Sequence, residues 1–536
     1  MRHYSSDAVS GFGAHEELQV LVLLVSAAAL LLLADPLRIP YPILLVLGGL
    51  AIGFAPGIPS ITMPPDVVLF GILPPLLYTA AFNTGLRELR QNLRPISLLA
   101  VGLVTATMLV IAVLGHVALG LSWPVGFVLG AVISPTDPIA ANAIGRRFGI
   151  PRRTLSVIEG ESLVNDGTAL VFFKFAVAAA VTGGFSLSHA TASFVWTVVG
   201  GVAVGLVIGR VIRFVRFRLN NPPLEVMIAF LTGYFTFLPA SAIGASGVLA
   251  VVTAGVYMGW YTPELTTVET RLQGSGFWAI LSFLLNVVLF GLVGLQLQPI
   301  LDSLSGHSSW QLIGYAGFVS AAVIITRIVW IFPLTYAPRW LFGRKREDVP
   351  PWQRPAFVAW AGMRGAITLA AALAIPLHTD TGAPFPDREL IVFLAFCVVL
   401  ATLVVQGLSL PVVIRLLGLE DDGLDYKEET KARIHAVDAG LARLDEIVDA
   451  DGVLPDTAER LRGQYQFRRN RFSARFDDAD DGAIEERSQA YQRVRRNLLD
   501  AERNALHALR NEGRISDEVM QRVERDLDLE DSRLDV

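Results

Sequence analysis

The sequence predicts an all-α polytopic membrane protein with about thirteen transmembrane helices, two of them interrupted, followed by a helical C-terminal tail. Apolar residues make up 53% of the 536 positions and charged residues only 17%, which is too apolar for a soluble protein of this length. Hydrophobic stretches of roughly 20 residues, enough to cross a bilayer, recur as far as Leu417. The formal net charge of −5 gives no indication of nucleic-acid binding. The single cysteine, Cys397, excludes an intramolecular disulfide.

Breaks that carry Pro, Gly or charge divide the apolar part into predicted spans. These cover residues 17–34, 40–55, 66–83, 95–119, 123–145, 155–182, 190–213, 223–239, 244–260, 276–297, 310–334, 356–377 and 389–416. The first span lacks the basic segment and cleavage site of a signal peptide, so we expect it to be retained. The predicted domains are an extracytoplasmic N-terminus (1–16), a transmembrane domain (17–418) and the tail (419–536).

Basic residues occur in every second loop between the predicted spans. They are Arg38; Arg87, Arg90 and Arg94; Arg146, Arg147, Arg152 and Arg153; Arg213, Arg216 and Arg218; Arg271; and Arg339, Arg344, Lys345, Arg346 and Arg354. Because cytoplasmic loops of membrane proteins are enriched in Lys and Arg, we expect these loops and the tail in the cytoplasm and the N-terminus outside, in the plasma (inner) membrane. Arg388 is the exception. The arginines of the second loop could also contact anionic lipid.

The tail is predicted to be helical because its apolar residues recur with helical spacing. The periodic segments are Tyr426–Val448, Leu454–Phe476, Ile484–Leu509 and Ser516–Leu527. No nucleotide-binding glycine loop or calcium-binding loop interrupts them. We therefore expect a regulatory or oligomeric role for the tail.

Two predicted spans are broken in the middle. Ser134–Pro138 (SPTDP) interrupts the fifth, where two prolines leave the carbonyls of Ala131 and Ser134 without helical partners. Gly362–Gly365 (GMRG) interrupts the twelfth. Unpaired carbonyls at bilayer depth are tolerated only where they line a cavity or bind something. One interrupted helix in each half predicts a transporter built from inverted repeats, with its site near the bilayer midplane.

The sixth predicted span carries polar side chains within an apolar run. On an α-helix, at about 100° per residue, Ser162 and Asp166 share one face, and Glu161 and Asn165 share the adjacent face. Ionisable groups at this depth are costly and usually functional. One face could therefore bind a cation while the other is held by a partner.

A small hard cation needs about six oxygen ligands. Asp137 and Asp166 offer carboxylates, and Thr136 and Ser162 offer hydroxyls or carbonyls. In general, burial and a neighbouring carboxylate both favour protonation of a carboxyl group. Na⁺ and H⁺ are therefore expected to exclude each other at such a site, and exchange follows if the protein reorients only when one of them is bound.

Buried arginine in hydrocarbon requires a partner. We predict an ion pair between Glu161 and Arg364. Arg327 is either a functional charge near the core or a side chain that reaches a headgroup or a backbone carbonyl. Asp137, between two prolines, could alternatively be a helix cap.

Three motifs in this order resemble the sodium/proton antiporters of the NhaP and NHE type: SPTDP at Ser134–Pro138, GESLVNDG at Gly160–Gly167 and GMRGAIT at Gly362–Thr368. The resemblance covers roughly residues 17–416. The adjacent Asn165 and Asp166 resemble the electroneutral branch of that family.

The resemblance implies antiport of Na⁺ against H⁺ without enzymatic activity or a cofactor, an obligate homodimer, and a mobile core formed by spans 123–145, 155–182, 356–377 and 389–416. By motif, Asp166 would be the exchanging carboxylate. The co-ligands would be Asp137, Thr136 and Ser162, and the supporting residues Glu161, Asn165 and Arg364.

The sequence departs from that family at two positions. Thr79 stands where members often carry an acidic residue in the third span, and Asn286 stands where relatives of the animal type have glutamate. Both changes remove negative charge near the pathway and bear on cation affinity. The alternatives are exchange of K⁺ or Li⁺ against H⁺, a cation channel, and a transport-inactive sensor that signals through the tail.

Overall fold

The computed structural model describes residues 28–30, 32, 39–54, 65–183, 187–304, 308–342, 350–419, 423–451, 454–474 and 483–532. Within these ranges the backbone forms helices joined by turns, and the extended pairing found there is an isolated bridge between His378 and Pro384. The chain separates into two compact units, Met1–Asp421 and Asp422–Val536.

The helices of the first unit follow one another with short connections. They are α1 (Tyr41–Gly53), α2 (Val67–Asn83), α3 (Leu86–Gln91), α4 (Leu93–Leu119), α5 (Trp123–Ile133), α6 (Ile139–Arg147), α7 (Arg152–Thr182), α8 (Leu187–Arg216), α9 (Pro222–Ala242), α10 (Gly247–Leu265), α11 (Val268–Ser303), α12 (Ser309–Phe342), α13 (Gln353–Trp360), α14 (Ala366–Leu373) and α15 (Arg388–Leu417).

Seven helices in the described ranges are long and apolar enough to cross a membrane: α4, α7, α8, α9, α11, α12 and α15. Helices also lie at the other predicted positions from 40–55 onward. The first predicted span, 17–34, falls almost entirely outside the described residues. The all-helical transmembrane architecture is confirmed, and the count of about thirteen spans stays a prediction.

Local sequence signals explain where several helices begin and end. The side chains of Asn221, Ser246 and Thr267 accept hydrogen bonds from backbone N–H groups in the first turns of α9, α10 and α11, the usual N-cap contact. Helices α4 and α7 end at Gly120 and Gly183, whose φ angles are 72° and 68°. Glycine adopts this left-handed conformation without steric cost.

Small residues let several helices approach closely. A Cβ atom on Gly49 of α1 would lie 2.7 Å from the carbonyl oxygen of Gly291 on α11, and a Cβ on Gly294 would lie 2.8 Å from the Cα of Gly49. Helices α8 and α10 meet in the same way, since a Cβ on Gly201 would lie 2.8 Å from the carbonyl oxygen of Ser246. In lipid the hydrophobic effect does not drive helices together, so their association depends on dispersion energy. Close backbone contact of this kind supplies that energy.

Helix α15 occupies the centre of the first unit. In its most apolar window 72% of residues are buried, compared with at most 44% in the other six long apolar helices. Its buried side chains join those of α5 and α14 in one hydrophobic cluster. The two interrupted spans are therefore packed on a helix that is itself shielded by protein.

Arg388, the exception to the distribution of basic residues, closes the end of α14. Its Nε and Nη2 atoms donate to the carbonyl oxygens of Ile375 and Leu373 at 2.9 and 3.0 Å. A cation at a helix C-terminus interacts favourably with the helix dipole and satisfies carbonyls that have no helical partner. Its position is thus explained by helix capping.

The second unit contains α16 (Leu424–Asp451), α17 (Pro455–Ala474), α18 (Ala483–Asn511) and α19 (Asp517–Ser532). Arg503 of α18 donates to Asp528 and Asp531 of α19, each at 2.9 Å, and these carboxylates raise the pKa of the Arg503 guanidinium above its ordinary value. Buried Leu499, Met520 and Leu527 lie among these helices. The cytoplasmic location and regulatory role of this unit stay predictions.

Candidate cation-binding site

The two interrupted spans meet at their breaks. Helix α5 ends at Ile133 and the chain resumes as α6 at Ile139, while α13 ends at Trp360 and resumes as α14 at Ala366. The backbone N–H of Asp137 donates to the carbonyl oxygen of Met363 at 2.8 Å. The two non-helical segments are therefore joined by a backbone hydrogen bond in the interior of the protein.

One of the carbonyls expected to be free is already bonded. The carbonyl oxygen of Ala131 accepts from the Ser134 hydroxyl at 3.0 Å. The donor is a side chain and not a helical N–H group, because a serine at the end of a helix can return its hydroxyl to the preceding turn. The bond occupies one of the two lone pairs of this carbonyl oxygen.

The Arg364 side chain donates hydrogen bonds to backbone carbonyl oxygens and not to a carboxylate. Its Nε donates to the carbonyl oxygen of Ile133 at 3.2 Å, its Nη1 to that of Gly362, and its backbone N–H to the Thr402 hydroxyl at 3.0 Å. It is fully buried, and its contacts connect α5, its own broken span and α15. It therefore supports the crossing of the two broken spans.

The partner of Glu161 is Arg327, not Arg364. The guanidinium of Arg327, on α12, donates through Nη1 to Oε1 and through Nη2 to Oε2 of Glu161, the latter at 2.8 Å. Arg327 Nε and Nη2 also donate to the carbonyl oxygen of Val358 at 3.1 and 3.0 Å. Both side chains are at most 1% exposed. The predicted Glu161–Arg364 pair is wrong. Of the roles weighed for Arg327, the bond to a backbone carbonyl is confirmed, and a functional role of its charge stays a prediction.

Thr136 and Asn165 extend this ion pair towards the break in the fifth span. The Thr136 hydroxyl donates to Oε1 of Glu161 at 3.0 Å and accepts from Nδ2 of Asn165 at 2.7 Å. Because its hydrogen is directed to Glu161, the hydroxyl is oriented by the network. It can offer a cation only its remaining lone pair.

The two carboxylate oxygens of Asp137 have different surroundings: one accepts a backbone hydrogen bond, and the other lies beside the break at Gly362–Gly365. Its Oδ1 accepts from the backbone N–H of Ile139 at 2.9 Å, which places it at the start of α6. The N-cap residue of α6 is Pro138 and not Asp137, so this bond fixes the turn that leads into the helix and does not make Asp137 the helix cap. Oδ2 lies against Gly365, in the space that a Cβ atom there would take.

Asp166 and Ser162 line a cavity of about 320 Å³ together with Thr136 and Asp137. Asp166 is 3% exposed. Within the described part of the chain its carboxylate has neither a hydrogen-bond donor nor an ion-pair partner. Glu161 and Asn165, one helical face away, belong to the Arg327 network. On α7, therefore, Asp166 faces the cavity without a partner among the described residues, whereas Glu161 is paired with Arg327 inside the protein.

The cavity reaches the edge of the protein on the side of the basic loops. Its lining includes Glu159 and Arg146, which form an ion pair of 3.1 Å, and the Arg146 side chain is 73% exposed. Asn142 donates to the same Glu159 carboxylate oxygen at 2.9 Å. A continuous space therefore connects the buried carboxylates with exposed groups.

Thr79 and Asn286, the two departures in sequence, both line this cavity. The Thr79 hydroxyl donates to the carbonyl oxygen of Pro75 at 2.8 Å. The side-chain oxygen of Asn286 is buried and has no hydrogen-bond partner within the described ranges. The positions at which negative charge is missing thus face the same space as Asp166.

Gly365 provides a test of the crossing of the two broken spans. A Cβ atom at this position would lie 2.6 Å from the Cβ of Asp137, closer than real contacts allow. We expect Gly365→Ala to displace Asp137 and to lower the cation–proton exchange that the three motifs imply by about tenfold or more in liposomes, since ångström-scale misplacement of a working group has large kinetic effects. Gly291→Ala is the matched control, because a Cβ there meets no atom within 4 Å. Wild-type exchange by Gly365→Ala would contradict the geometry.

Comparison with known proteins identifies the family. The profile described as sodium/hydrogen exchanger, transmembrane, matches residues 20–416, which is most of the chain and contains every residue of the cavity. The chain belongs to the sodium/hydrogen exchanger family. It is therefore a membrane-embedded transporter and not an enzyme, and the resemblance drawn from its three motifs is confirmed.

Two relatives in sequence and one solved structure are similar to this chain. The chain is 36% identical, over 96% of each sequence, to a protein of Mycobacterium tuberculosis named an uncharacterised Na⁺/H⁺ exchanger. It is 33% identical, over 81% of each sequence, to the Na⁺/H⁺ antiporter ApNhaP of Aphanothece halophytica. The sodium proton antiporter MjNhaP1 of Methanocaldococcus jannaschii has a similar fold, with a TM-score of 0.60 at 20% identity over 75% of this chain and 100% of that one.

The structure of this exchanger brings together all four predicted ion-site residues. Asp166, Asp137, Thr136 and Ser162 line one cavity. Of the three predicted supporting residues, Glu161 and Asn165 share one network with Thr136, whereas Arg364 binds backbone at the crossing. Sequence reasoning assigned the role of Arg327 to Arg364. Both are buried arginines in apolar spans, so no signal in the sequence distinguishes which one meets Glu161.

Proposed function

We propose that this chain is a secondary active antiporter that exchanges Na⁺ for H⁺ at one buried carboxylate, Asp166, with Asp137, Thr136 and Ser162 as further cation ligands. The observation that carries the proposal is the difference between neighbouring acids. Glu161 is neutralised by Arg327 and Asp137 is bonded to Ile139 N, whereas Asp166 faces a cavity with no partner in the described part of the chain. An acid left in this state gains stabilisation from a bound cation or from a bound proton, and one excludes the other.

Alternating access explains how competition becomes exchange. If the protein reorients only when Asp166 carries Na⁺ or H⁺, each ion is moved in one direction for every ion of the other kind. The cavity that ends at Arg146 supports access from the side of the basic loops, which we take to be the cytoplasm from the positive-inside rule. The cycle needs no cofactor beyond the transported ions.

The buried network is proposed to keep the site in place during this motion. Arg327, Glu161, Thr136 and Asn165 form a continuous set of hydrogen bonds. Of these four residues Thr136 alone lines the cavity, so it connects the neutralised ion pair to the site. We further propose, as the family resemblance implies, that the protein is a homodimer. Its mobile core would contain the interrupted helices α5/α6 and α13/α14 together with α7 and α15.

Exchange of K⁺ against H⁺ is the second candidate. A relative of Bacillus subtilis, 35% identical over 70% of this chain and 58% of its own length, is named a sodium, potassium, lithium and rubidium/H⁺ antiporter. The oxygen ligands assigned here could serve K⁺ or Li⁺ in a cage of different size. A cation channel fits less well, because the interrupted spans and the buried ion pair are typical of a transporter.

The experiment is a proton-flux measurement in proteoliposomes driven by Na⁺, K⁺ or Li⁺ gradients, with the membrane potential clamped. We expect cation-driven proton movement. Raising the proton concentration should increase the half-saturating Na⁺ concentration while leaving the maximal rate at saturating Na⁺ unchanged, because both ions compete for Asp166. Empty liposomes are the control. Cation conduction without proton counter-movement would instead establish a channel, and proton inhibition that Na⁺ cannot overcome would contradict the shared site.

A further inference from the structure

A second pocket lies at the edge of the first unit that carries the basic loops. It has a volume of about 260 Å³ and is lined by Leu86, Arg87, Arg90 and Gln91 of the short helix α3 and by Trp260 of α10. None of these residues lines the cavity at Asp166. The pocket is therefore separate from the proposed transport site.

The positive charge of this pocket is not compensated by the described part of the protein. Arg87 and Arg90 are exposed and form neither an ion pair nor a hydrogen bond with any described residue. The acid between them, Glu88, is engaged elsewhere, since it accepts from the Ser156 hydroxyl at 2.8 Å and pairs with Arg152 at 2.6 Å. An anion that neutralises the two arginines must come from outside the described residues.

The remaining lining residues indicate which anion fits. The planar guanidinium group of arginine binds phosphate oxygens through two parallel hydrogen bonds. The Gln91 amide can donate to an ester oxygen. Trp260, 54% exposed, and Leu86 add apolar surface. Trp260 is the last residue of the predicted span 244–260, and tryptophan at the end of a span typically lies at headgroup depth. Inorganic phosphate would use the arginines but not this apolar surface.

We propose that this pocket binds the headgroup of an anionic phospholipid, with the phosphate between Arg87 and Arg90 and the glycerol and upper acyl chains against Leu86 and Trp260. Basic pockets between helices at a membrane face are a known form of headgroup site. The bound lipid connects α3 to α10, while Glu88 on the same helix is bonded to α7 through Ser156 and Arg152. The lipid therefore stabilises the packing of α3 between these two long helices.

The test measures lipid binding to the full chain in detergent after delipidation, which makes it independent of transport. Phosphatidylglycerol, phosphatidylcholine and inorganic phosphate are titrated separately, with native mass spectrometry and the melting temperature as readouts. We expect saturable binding of phosphatidylglycerol with an increase in melting temperature. Phosphatidylcholine should bind much more weakly.

The variants distinguish specific lipid binding in this pocket from a non-specific effect of positive charge. We expect Arg87→Gln combined with Arg90→Gln to weaken phosphatidylglycerol binding by about thirtyfold or more, since two charge-assisted contacts are removed. Lysine at both positions should retain part of the affinity. Arg94→Gln is the matched control, because Arg94 is an exposed arginine in the first turn of the next helix, α4, and does not line the pocket.

Three results would overturn the proposal. One is unchanged phosphatidylglycerol binding by the double glutamine variant when that variant is monodisperse. Another is an equal loss of binding in Arg94→Gln, which would indicate a non-specific charge effect. Equal stabilisation by millimolar inorganic phosphate would identify a free anion, not a lipid, as the ligand.

Discussion

Replacing Asp166 with asparagine reduces cation–proton exchange to the level of empty liposomes while the protein remains folded. Asparagine preserves the volume of the side chain but cannot change its protonation state or supply a negative charge to a cation. Asp166 belongs to no ion pair among the described residues, so the substitution leaves no opposite charge stranded in the protein. The expected effect is therefore on transport and not on stability.

The measurement is the initial rate of Na⁺-driven proton flux per reconstituted protein, combined with the melting temperature in detergent. Asp302→Asn provides a matched control, because Asp302 is an exposed carboxylate at the end of α11 and does not line the cavity. We expect wild-type flux from the control. Appreciable exchange by Asp166→Asn would assign proton carriage to another group.

The second large effect concerns stability. Arg327→Ala alone is expected to lower the free energy of unfolding by about 3–5 kcal/mol, because it leaves the Glu161 carboxylate buried without its guanidinium partner. Arg327→Met combined with Glu161→Gln removes both charges and should restore part of this loss. A double-mutant cycle that also includes Arg327→Met and Glu161→Gln as single variants, measured by melting curves or denaturant titrations, gives the coupling between the two residues.

Glu159→Gln is the control for this pair. Glu159 lies two residues before Glu161 on α7 and pairs with Arg146, but it is 28% exposed and Arg146 is 73% exposed. An ion pair in contact with water contributes at most about 1 kcal/mol. A loss in Arg327→Ala no larger than that in Glu159→Gln would mean that the Glu161–Arg327 pair does not stabilise the fold.

The fold was largely predictable because its signals are local. Long apolar stretches and the Pro, Gly and charged residues between them depend on the sequence within each segment. The helices from Tyr41 onward therefore lie where the hydrophobic pattern predicts them. The two interruptions were equally visible, since Pro135 and Pro138 remove backbone donors wherever the chain goes.

The ion pair could not be predicted in the same way. The cost of burying Glu161 shows that a cation must lie nearby, but Arg327 and Arg364 are both arginines within apolar spans. Gly362 contributes to the outcome, because a Cβ atom there would lie 2.9 Å from Cζ of Arg327. Its missing side chain leaves room for that guanidinium. The spacing of the motifs does not show that the space beside Gly362 is occupied by Arg327 from α12.

The sequence alone determined that this protein crosses a membrane and that two of its spans are broken, and it predicted Asp137, Asp166, Thr136 and Ser162 as the cation ligands. These properties follow from composition and from helical spacing, which act over a few residues. Only the tertiary structure decided that Arg327 neutralises Glu161, that Arg364 holds the crossing of the broken spans, and that Asp166 is left facing the cavity. Those outcomes depend on which faces of distant helices meet, because the energy of a buried charge is set by groups far away in the chain but adjacent in space.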